Sequence, residues 1–384
     1  MHDRPHATAS DHLVHGLAGD DIVPDWPALA RAELQALLRR FPQAGDLRGV
    51  NWHSPRPLSA ACLVDTDAGE LFVKRHHRRV RTPGTLTEEH AFIAHLRSHR
   101  LPLAEVLRDA DGATAVPIGD WVYEVHRRAA GIDLYRELIS WEPLGNPRHA
   151  RHAGRMLARL HDASAGYHAP QRATHILVAR SELIAAADPV AALEAQLVQR
   201  PGLAAYLRGR SWQREFAATL SPWHAALQPR LARQPRLWTH GDWHASNLCW
   251  DGSGARADVT AVLDFGLAAA NCALFDLATA IERNAIAWLA LDTGAAAIHP
   301  AIACALVEGY RELRPLSRDD VILLADLLPL VHVDFAVSEV EYFHAITQAP
   351  AHADVAWATF LQGHAAWFAT DPGQALLLAI RDLA

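Results

Sequence analysis

The chain has 384 residues, with 36 basic and 43 acidic side chains and a formal net charge of −7. That length exceeds what one hydrophobic core fills, so two or three lobes are expected. The mild acidity argues against a broad nucleic-acid-binding surface. Half the residues are apolar, yet no uninterrupted apolar run reaches the ~18 residues of a membrane span. The polar opening, Met1 to Asp21, lacks the apolar core of a signal peptide or anchor. Cys62, Cys249, Cys272 and Cys304 form no C-x-x-C pair and read as reduced thiols of a cytoplasmic protein.

Residues 1–45 read as an N-terminal extension, a disordered start followed by one amphipathic helix. Trp26, Leu29, Ala30, Leu34, Leu37, Leu38 and Phe41 recur at helical spacing between Asp25 and Phe41. Residues 46–128 read as a small sheet-rich lobe. Ala60–Val64 and Leu71–Val73 are strands joined by an Asp-Thr-Asp-Ala-Gly turn. A helix follows from about Thr87, its cap, to Arg100, and then three strands at Leu103–Leu107, Ala113–Ile118 and Trp121–Val125. Residues 129–384 read as a helical lobe. It has a helix over Arg148–Ser164, alanine-rich helical text over Arg180–Arg233 and again from Phe275, and one inserted hairpin, Asn247–Trp250 with Val259–Phe265.

Antiparallel strands would bring the two ends of that hairpin together. His240-Gly241-Asp242-Trp243-His244-Ala245-Ser246-Asn247 enters it and Asp264-Phe265-Gly266 leaves it. Asp242, Asn247 and Asp264 thereby converge as an all-oxygen donor set, which suits Mg²⁺ with phosphates and water completing the shell. Phosphoryl transfer asks for these parts together with a lysine on the triphosphate. Of the 36 basic residues only Lys74 is lysine, which marks a position where a compact ammonium is needed or a chance survivor. A second reading makes His240, Asp242 and His244 transition-metal ligands. No second His/Asp cluster at ligand spacing supports it, and it leaves Asn247 and Asp264 without a task.

H-G-D-x-H-x-x-N followed by D-F-G resembles the aminoglycoside phosphotransferase and choline kinase family, across roughly residues 50–290. The resemblance implies an α+β, bilobal protein-kinase-like fold with a small β-rich N-lobe and a larger, mainly helical C-lobe. It implies ATP and Mg²⁺ as cofactors and a hydroxyl acceptor on a small molecule. By it Asp242 is the catalytic base, and Asn247 and Asp264 hold the metal; in a chain with 24 histidines, His240 and His244 read as braces of the loop. Lys74 binds the nucleotide and pairs with a glutamate of the next helix, Glu89 or its neighbour Glu88. Trp121–Arg127 is the interlobe hinge, with the backbone of Glu124 to His126 at the adenine. The phosphate-covering turn is Ser54–Ser59, with Ser59 as its serine in place of a glycine-rich run. Asp276 is a family position that braces the loop as a helix cap, and His161 is a family position with a packing role.

The acceptor stays open between antibiotic, amino alcohol, sugar and homoserine-like molecules. Asp334, Ser338 and Glu341 share one helical face, either an acidic cleft wall for a cationic substrate or a solvated surface, with His332 and His344 beside it. Two alternatives stand beside the small-molecule kinase. One is a protein Ser/Thr kinase, disfavoured by the short stretch from Gly266 to Asp276. The other is a nucleotide-binding module without catalysis, disfavoured by the full set of catalytic residue types.

Overall fold

The computed structural model describes residues 24–138 and 141–384; the start of the N-terminal extension lies outside them. The first body of structure is a five-stranded antiparallel sheet of order β1-β2-β3-β5-β4. Its strands are β1 (Leu47–His53), β2 (Ala60–Thr66), β3 (Gly69–His77), β4 (Val116–Ile118) and β5 (Trp121–Arg127). β1 was not among the predicted strands. Its polar residues Arg48, Asn51 and His53 obscure any alternation, and two irregularities break its register with β2.

Alternation along β3 divides the lobe. Leu71, Val73 and Arg75 face one side, where α1 (Arg31–Leu38) lays down Leu34, Leu37 and Leu38 to close a core with Val64 and Val125. Arg75 is tied there to Glu33 at 2.6 Å, and the Tyr123 hydroxyl donates to the same carboxylate at 2.7 Å. The N-terminal helix therefore seals the back of the sheet. It is shorter than predicted: the chain carrying Pro24 and Pro27 is irregular up to Ala30, where proline denies the helix a backbone N–H. Trp26 instead stacks on His77 and donates to the Tyr342 hydroxyl at 3.1 Å. The opposite side, carrying Phe72, Lys74 and His76, is left for α2 (Pro83–Ser98) and the interlobe cavity.

Three predicted boundaries move. α2 begins at Pro83, not near Thr87; Thr82 caps it, its hydroxyl accepting from the Thr85 N–H at 3.2 Å, with proline pre-set at the first turn. Leu103–Leu107 makes only isolated bridges, to Val262 and His126. The strand predicted at Ala113–Ile118 shortens to Val116–Ile118 because Asp109 Oδ1 gathers the N–H groups of Asp111 and Ala113 into a turn.

The larger lobe is helical. α3 (Pro147–Ser164) crosses the helix Pro300–Arg311 at glycine contacts. A Cβ on Gly154 would lie 2.1 Å from the Leu306 carbonyl oxygen, and one on Gly309 would lie 1.9 Å from that of Arg151. Residues 180–233 form a succession of short helices, two of them opened by Pro189 and Pro201. Two small antiparallel pairs carry the loops between them: β6 (Leu237–Thr239) with β9 (Ala269–Asn271), and β7 (Leu248–Trp250) with β8 (Val259–Val262). No helix among the described residues is long and apolar enough to cross a membrane.

Candidate active site

The loop between β6 and β7 is held from beneath by one buried carboxylate. Asp276, in the first turn of α4 (Ala273–Ala285), accepts from the His240 and Gly241 N–H groups, both at 2.8 Å. His161 of α3 meets the same carboxylate at 3.0 Å and the Tyr310 hydroxyl at 2.8 Å. The tight glycine crossing of α3 is what lets His161 and Tyr310 stand in line. Burial disfavours the Asp276 charge, but His161 and the loop N–H groups outweigh it and hold the carboxyl below its ordinary range. Asp276→Ala leaves two buried amides without an acceptor, at ~1–3 kcal/mol each. We expect a loss of about 2–6 kcal/mol in a denaturant titration; an unchanged midpoint would contradict the bracing role.

His240 braces the loop from the other side. Its Nε2 is 2.8 Å from the Leu263 carbonyl, and its ring packs edge-on against Phe265. Its other nitrogen accepts from the Asp242 N–H at 3.2 Å, so both are engaged within the loop and His240 is not a metal ligand. His244 does more than brace, since its Nε2 lies 3.5 Å from Asp242 Oδ2 and its Nδ1 is 2.9 Å from Ser246 Oγ.

Asp242, Asn247 and Asp264 are brought together. Asn247 Nδ2 donates to the Asp242 carbonyl at 2.9 Å and to its carboxylate at 3.2 Å. With its nitrogen committed inward, the Asn247 amide presents its oxygen the other way. Asp264 has φ +51°, a left-handed conformation uncommon outside glycine. Its Oδ1 accepts from Lys74 Nζ at 2.9 Å and from the Gly266 N–H at 3.1 Å. Lys74, Glu89, Asn247 and Asp264 line one cavity between the lobes, whose apolar wall includes Leu63, Phe72, Leu103 and Val262. Burial works against the Lys74 charge, yet Asp264, Glu124 and Glu89 together hold the ammonium protonated beyond its usual range.

The helix glutamates separate cleanly. Glu88 is drawn away to Arg172 at 3.2 Å and to the Ala173 N–H at 3.1 Å. Glu89 is buried and faces the cavity, with Arg172 at 3.7 Å; the direct partner of Lys74 is Asp264.

Of the other residues predicted to meet the nucleotide, Glu124 and His126 line the cavity with their side chains but do not offer it their backbone, and Ser59 lies outside it. Glu124 and His126 lie mid-strand. β5 pairs with β3 on one edge, while on the other the Val125 carbonyl accepts from the Leu107 N–H and the Arg127 N–H donates to the Glu105 carbonyl. Their backbone is thus committed to the sheet, and the chain turns from one lobe to the other after Arg127, at Arg128 to Gly131. The Glu124 side chain is surrounded by three imidazoles, which outweigh the cost of its burial and hold the carboxyl well below the usual range. Ser59 does not line the cavity; Ser54 and Arg56 of the same turn do.

Residues 57–316 fit the family model of the phosphotransferase enzyme family. The chain belongs to that family. Its fold is shared with solved kinases of the family at low identity. The amicoumacin kinase hAmiN, in complex with AMP-PNP, Ca²⁺ and Ami, is 13% identical with a TM-score of 0.57, covering 92% of this chain and 94% of its own. A microcompartment-associated aminopropanol kinase is 17% identical with a TM-score of 0.53, covering 88% and 99%. An aminoglycoside phosphotransferase from Alicyclobacillus acidocaldarius is 15% identical with a TM-score of 0.50, covering 91% and 95%. No curated protein matches the chain.

Within this phosphotransferase the sequence reading missed two arginines. Arg283, on α4, forms an ion pair with Asp242 Oδ1 and lies over the Trp141 ring at 3.9 Å. It follows Asp276 by seven residues, two helical turns on one face, and that spacing was the available signal. Burial opposes the Asp242 charge, but Arg283 and His244 pull its carboxyl far below the ordinary range. Arg56 spans the lobes, donating to the Leu138 carbonyl at 2.7 Å and to Ser246 Oγ at 2.8 Å. Nothing local marks it in the sequence.

The acidic face of Val333–Glu341 is neither cleft wall nor solvated surface. Glu341 is buried against Arg200 at 2.7 Å, Asp334 accepts from the Leu183 N–H at 3.2 Å, and the Ser338 hydroxyl donates to the Phe335 carbonyl at 2.7 Å. These acids serve the interior of the helical lobe.

Proposed function

We propose that this phosphotransferase moves the γ-phosphoryl group of MgATP to a hydroxyl of a small molecule. The observation that carries the reading is the meeting of Asp242, Asn247 and Asp264 beside Lys74 at one interlobe cavity. Asp242 is the base. Its ionised carboxylate takes the hydroxyl proton as the oxygen attacks, while Arg283 and His244 keep it charged and oriented. Asp264 and the outward oxygen of Asn247 are the hard donors that would hold Mg²⁺, which would supply positive charge to the phosphates. Lys74 moves from Asp264 towards the α/β-phosphates, and Glu89 remains as the cavity's second negative partner. The adenine fits the wall of Leu63, Phe72, Leu103 and Val262, with the backbone near Ala129 at its edge.

Lys74→Arg keeps the charge but replaces a compact ammonium by a planar fork in a buried slot. We expect kcat/KM for ATP to fall at least about tenfold, ~1.4 kcal/mol of transition-state binding; unchanged kinetics would make the lone lysine incidental. Arg283→Met removes the strongest opposing charge at Asp242 while retaining volume against Trp141. The base then becomes easier to protonate, so the acid limb of the kcat profile moves to higher pH. A shift of at least about one unit is expected, ~1.4 kcal/mol; an unmoved limb would refute the coupling.

The protein-kinase alternative finds little room in the fold. Gly266 runs within three residues into β9, already paired with β6, where a peptide-docking segment would have to lie. Product analysis after incubation with ATP, Mg²⁺ and amino alcohols, aminoglycosides, sugars, homoserine and a generic protein separates the readings. A phosphate ester on one small-molecule class supports the proposal, and phosphorylation of the protein alone would overturn it.

A further inference from the structure

Behind Lys74, on the same face of the sheet, three histidines gather around one glutamate. Phe72, Lys74 and His76 of β3 stand opposite His126, Glu124 and Val122 of β5 in register, so His76, Glu124 and His126 share a face. α2 covers that face and adds His90. His90 Nε2 and His126 Nε2 each lie 2.8 Å from Glu124 Oε2, and His76 Nε2 lies 2.8 Å from Oε1. The ligand atoms of His90, Glu124 and His126 fall within 4.8 Å of one another. We propose that His90, Glu124 and His126 form a site for a borderline divalent transition metal, Zn²⁺ in the first place.

Three features favour a metal over a hydrogen-bonded knot. The donors are two imidazole nitrogens and one carboxylate oxygen, the set zinc takes when three protein ligands leave a fourth position open. The nitrogen content separates it from the all-oxygen set at Asp264 and Asn247, which suits Mg²⁺. The surroundings are also those of a built site. His90 Nδ1 is fixed by Thr114 Oγ1 at 2.8 Å, and the second oxygen of Glu124 is fixed by His76. Partners of this kind outside the ligand set orient metal-bound imidazoles and carboxylates. Finally, the set has a dry side and an open side. His90 and Glu124 are 4% and 1% exposed, whereas Glu124 and His126 also line the interlobe cavity, from which an ion can enter and a water can complete the shell.

An ion there joins α2 to β5. It sits one residue from Glu89, so its occupancy fixes the helix that carries the glutamate of the nucleotide cavity. It also draws on Glu124, one of the carboxylates around Lys74. The site does not depend on the kinase reading, and its test does not use activity.

The test is metal binding by the full-length, tag-free protein. The chain is stripped with a chelator, loaded with Zn²⁺, desalted and assayed for metal by mass spectrometry. We expect about one equivalent retained, the stoichiometry of a single preformed site. His126→Gln, at the most exposed ligand, and His90→Gln should lose that equivalent. Thr114→Val should weaken affinity by about 10–100-fold, as loss of an orienting partner does. Asp264→Asn, in the oxygen set, should retain it. Co²⁺ in place of Zn²⁺ should give visible d–d absorption of low-coordinate N/O ligation in the wild type and not in His126→Gln. This second readout keeps the test decisive if His90→Gln fails to fold. Equal retention by wild type and His126→Gln, or no retained metal and no Co²⁺ band in the wild type, would overturn the site.

Discussion

Asp242→Asn is expected to bind MgATP as the wild type does and to turn over about 10²–10⁴ times more slowly, the share of a positioned general base. The amide fills the same volume and can still accept from Asn247 Nδ2, which now reaches the carboxylate at 3.2 Å. What it loses is the capacity to take the hydroxyl proton. The substitution also leaves Arg283, buried against Trp141, without its countercharge. Removing one partner of a buried pair costs roughly 3–5 kcal/mol, so kcat is to be read on protein whose folding has been checked, with nucleotide affinity measured separately by calorimetry. A near-normal kcat with intact affinity would remove Asp242 from the chemistry. A loss of affinity with unchanged kcat would make it a binding residue.

Asp264→Ala should have the larger effect. One carboxylate does two jobs here, holding Lys74 Nζ at 2.9 Å and offering its remaining oxygen to the cavity, with 40% of the side chain exposed there. Burial raises its carboxyl, but Lys74 outweighs that and keeps it ionised below the ordinary range. Alanine removes the carboxylate proposed as the principal hard donor for Mg²⁺ and leaves the ammonium to Glu124 and Glu89. Mg²⁺-dependent turnover should fall by about three orders of magnitude or more, ~4 kcal/mol at ~1.4 per decade. Lys74 should remain folded into the lobe, because its strand is held by both neighbours. Turnover within about a factor of ten of wild type, ~1.4 kcal/mol, would place the metal on other residues.

The meeting of Asp242, Asn247 and Asp264 was legible because their segment is written contiguously. Histidine, aspartate and asparagine recur at fixed spacing in one short segment, and a hairpin is a local device that returns the chain to where it began. Lys74 was legible through composition, standing alone among arginines at the end of an apolar strand. Arg283 and Arg56 were not, since each reaches the site from an element with no local mark, and only tertiary packing decides that an arginine points inward. The acidic helix shows the limit of periodicity. Spacing correctly put Asp334, Ser338 and Glu341 on one face, but spacing does not say what the face meets, and here it meets Arg200 and the Leu183 N–H. The same holds for Glu124 and His126. Their strand was predicted, yet their place in the middle of the sheet rather than at its exit depended on the chain continuing to Arg127 and being bonded to Glu105 and Leu107. The helix cap moved from Thr87 to Thr82 for a simpler reason, because the proline at position 83 pre-sets the first turn.

The central claim is that Asp242, Asn247, Asp264 and Lys74 form a working phosphoryl-transfer centre. The most direct measurement is Mg²⁺-dependent ADP release from ATP, followed across the acceptor classes named above with Asp242→Asn as the blank. Release should require Mg²⁺, be stimulated by one class of small hydroxyl compound, and disappear in the blank. Release that persists undiminished in Asp242→Asn, or a wild-type chain that does not bind ATP at all, would contradict the claim.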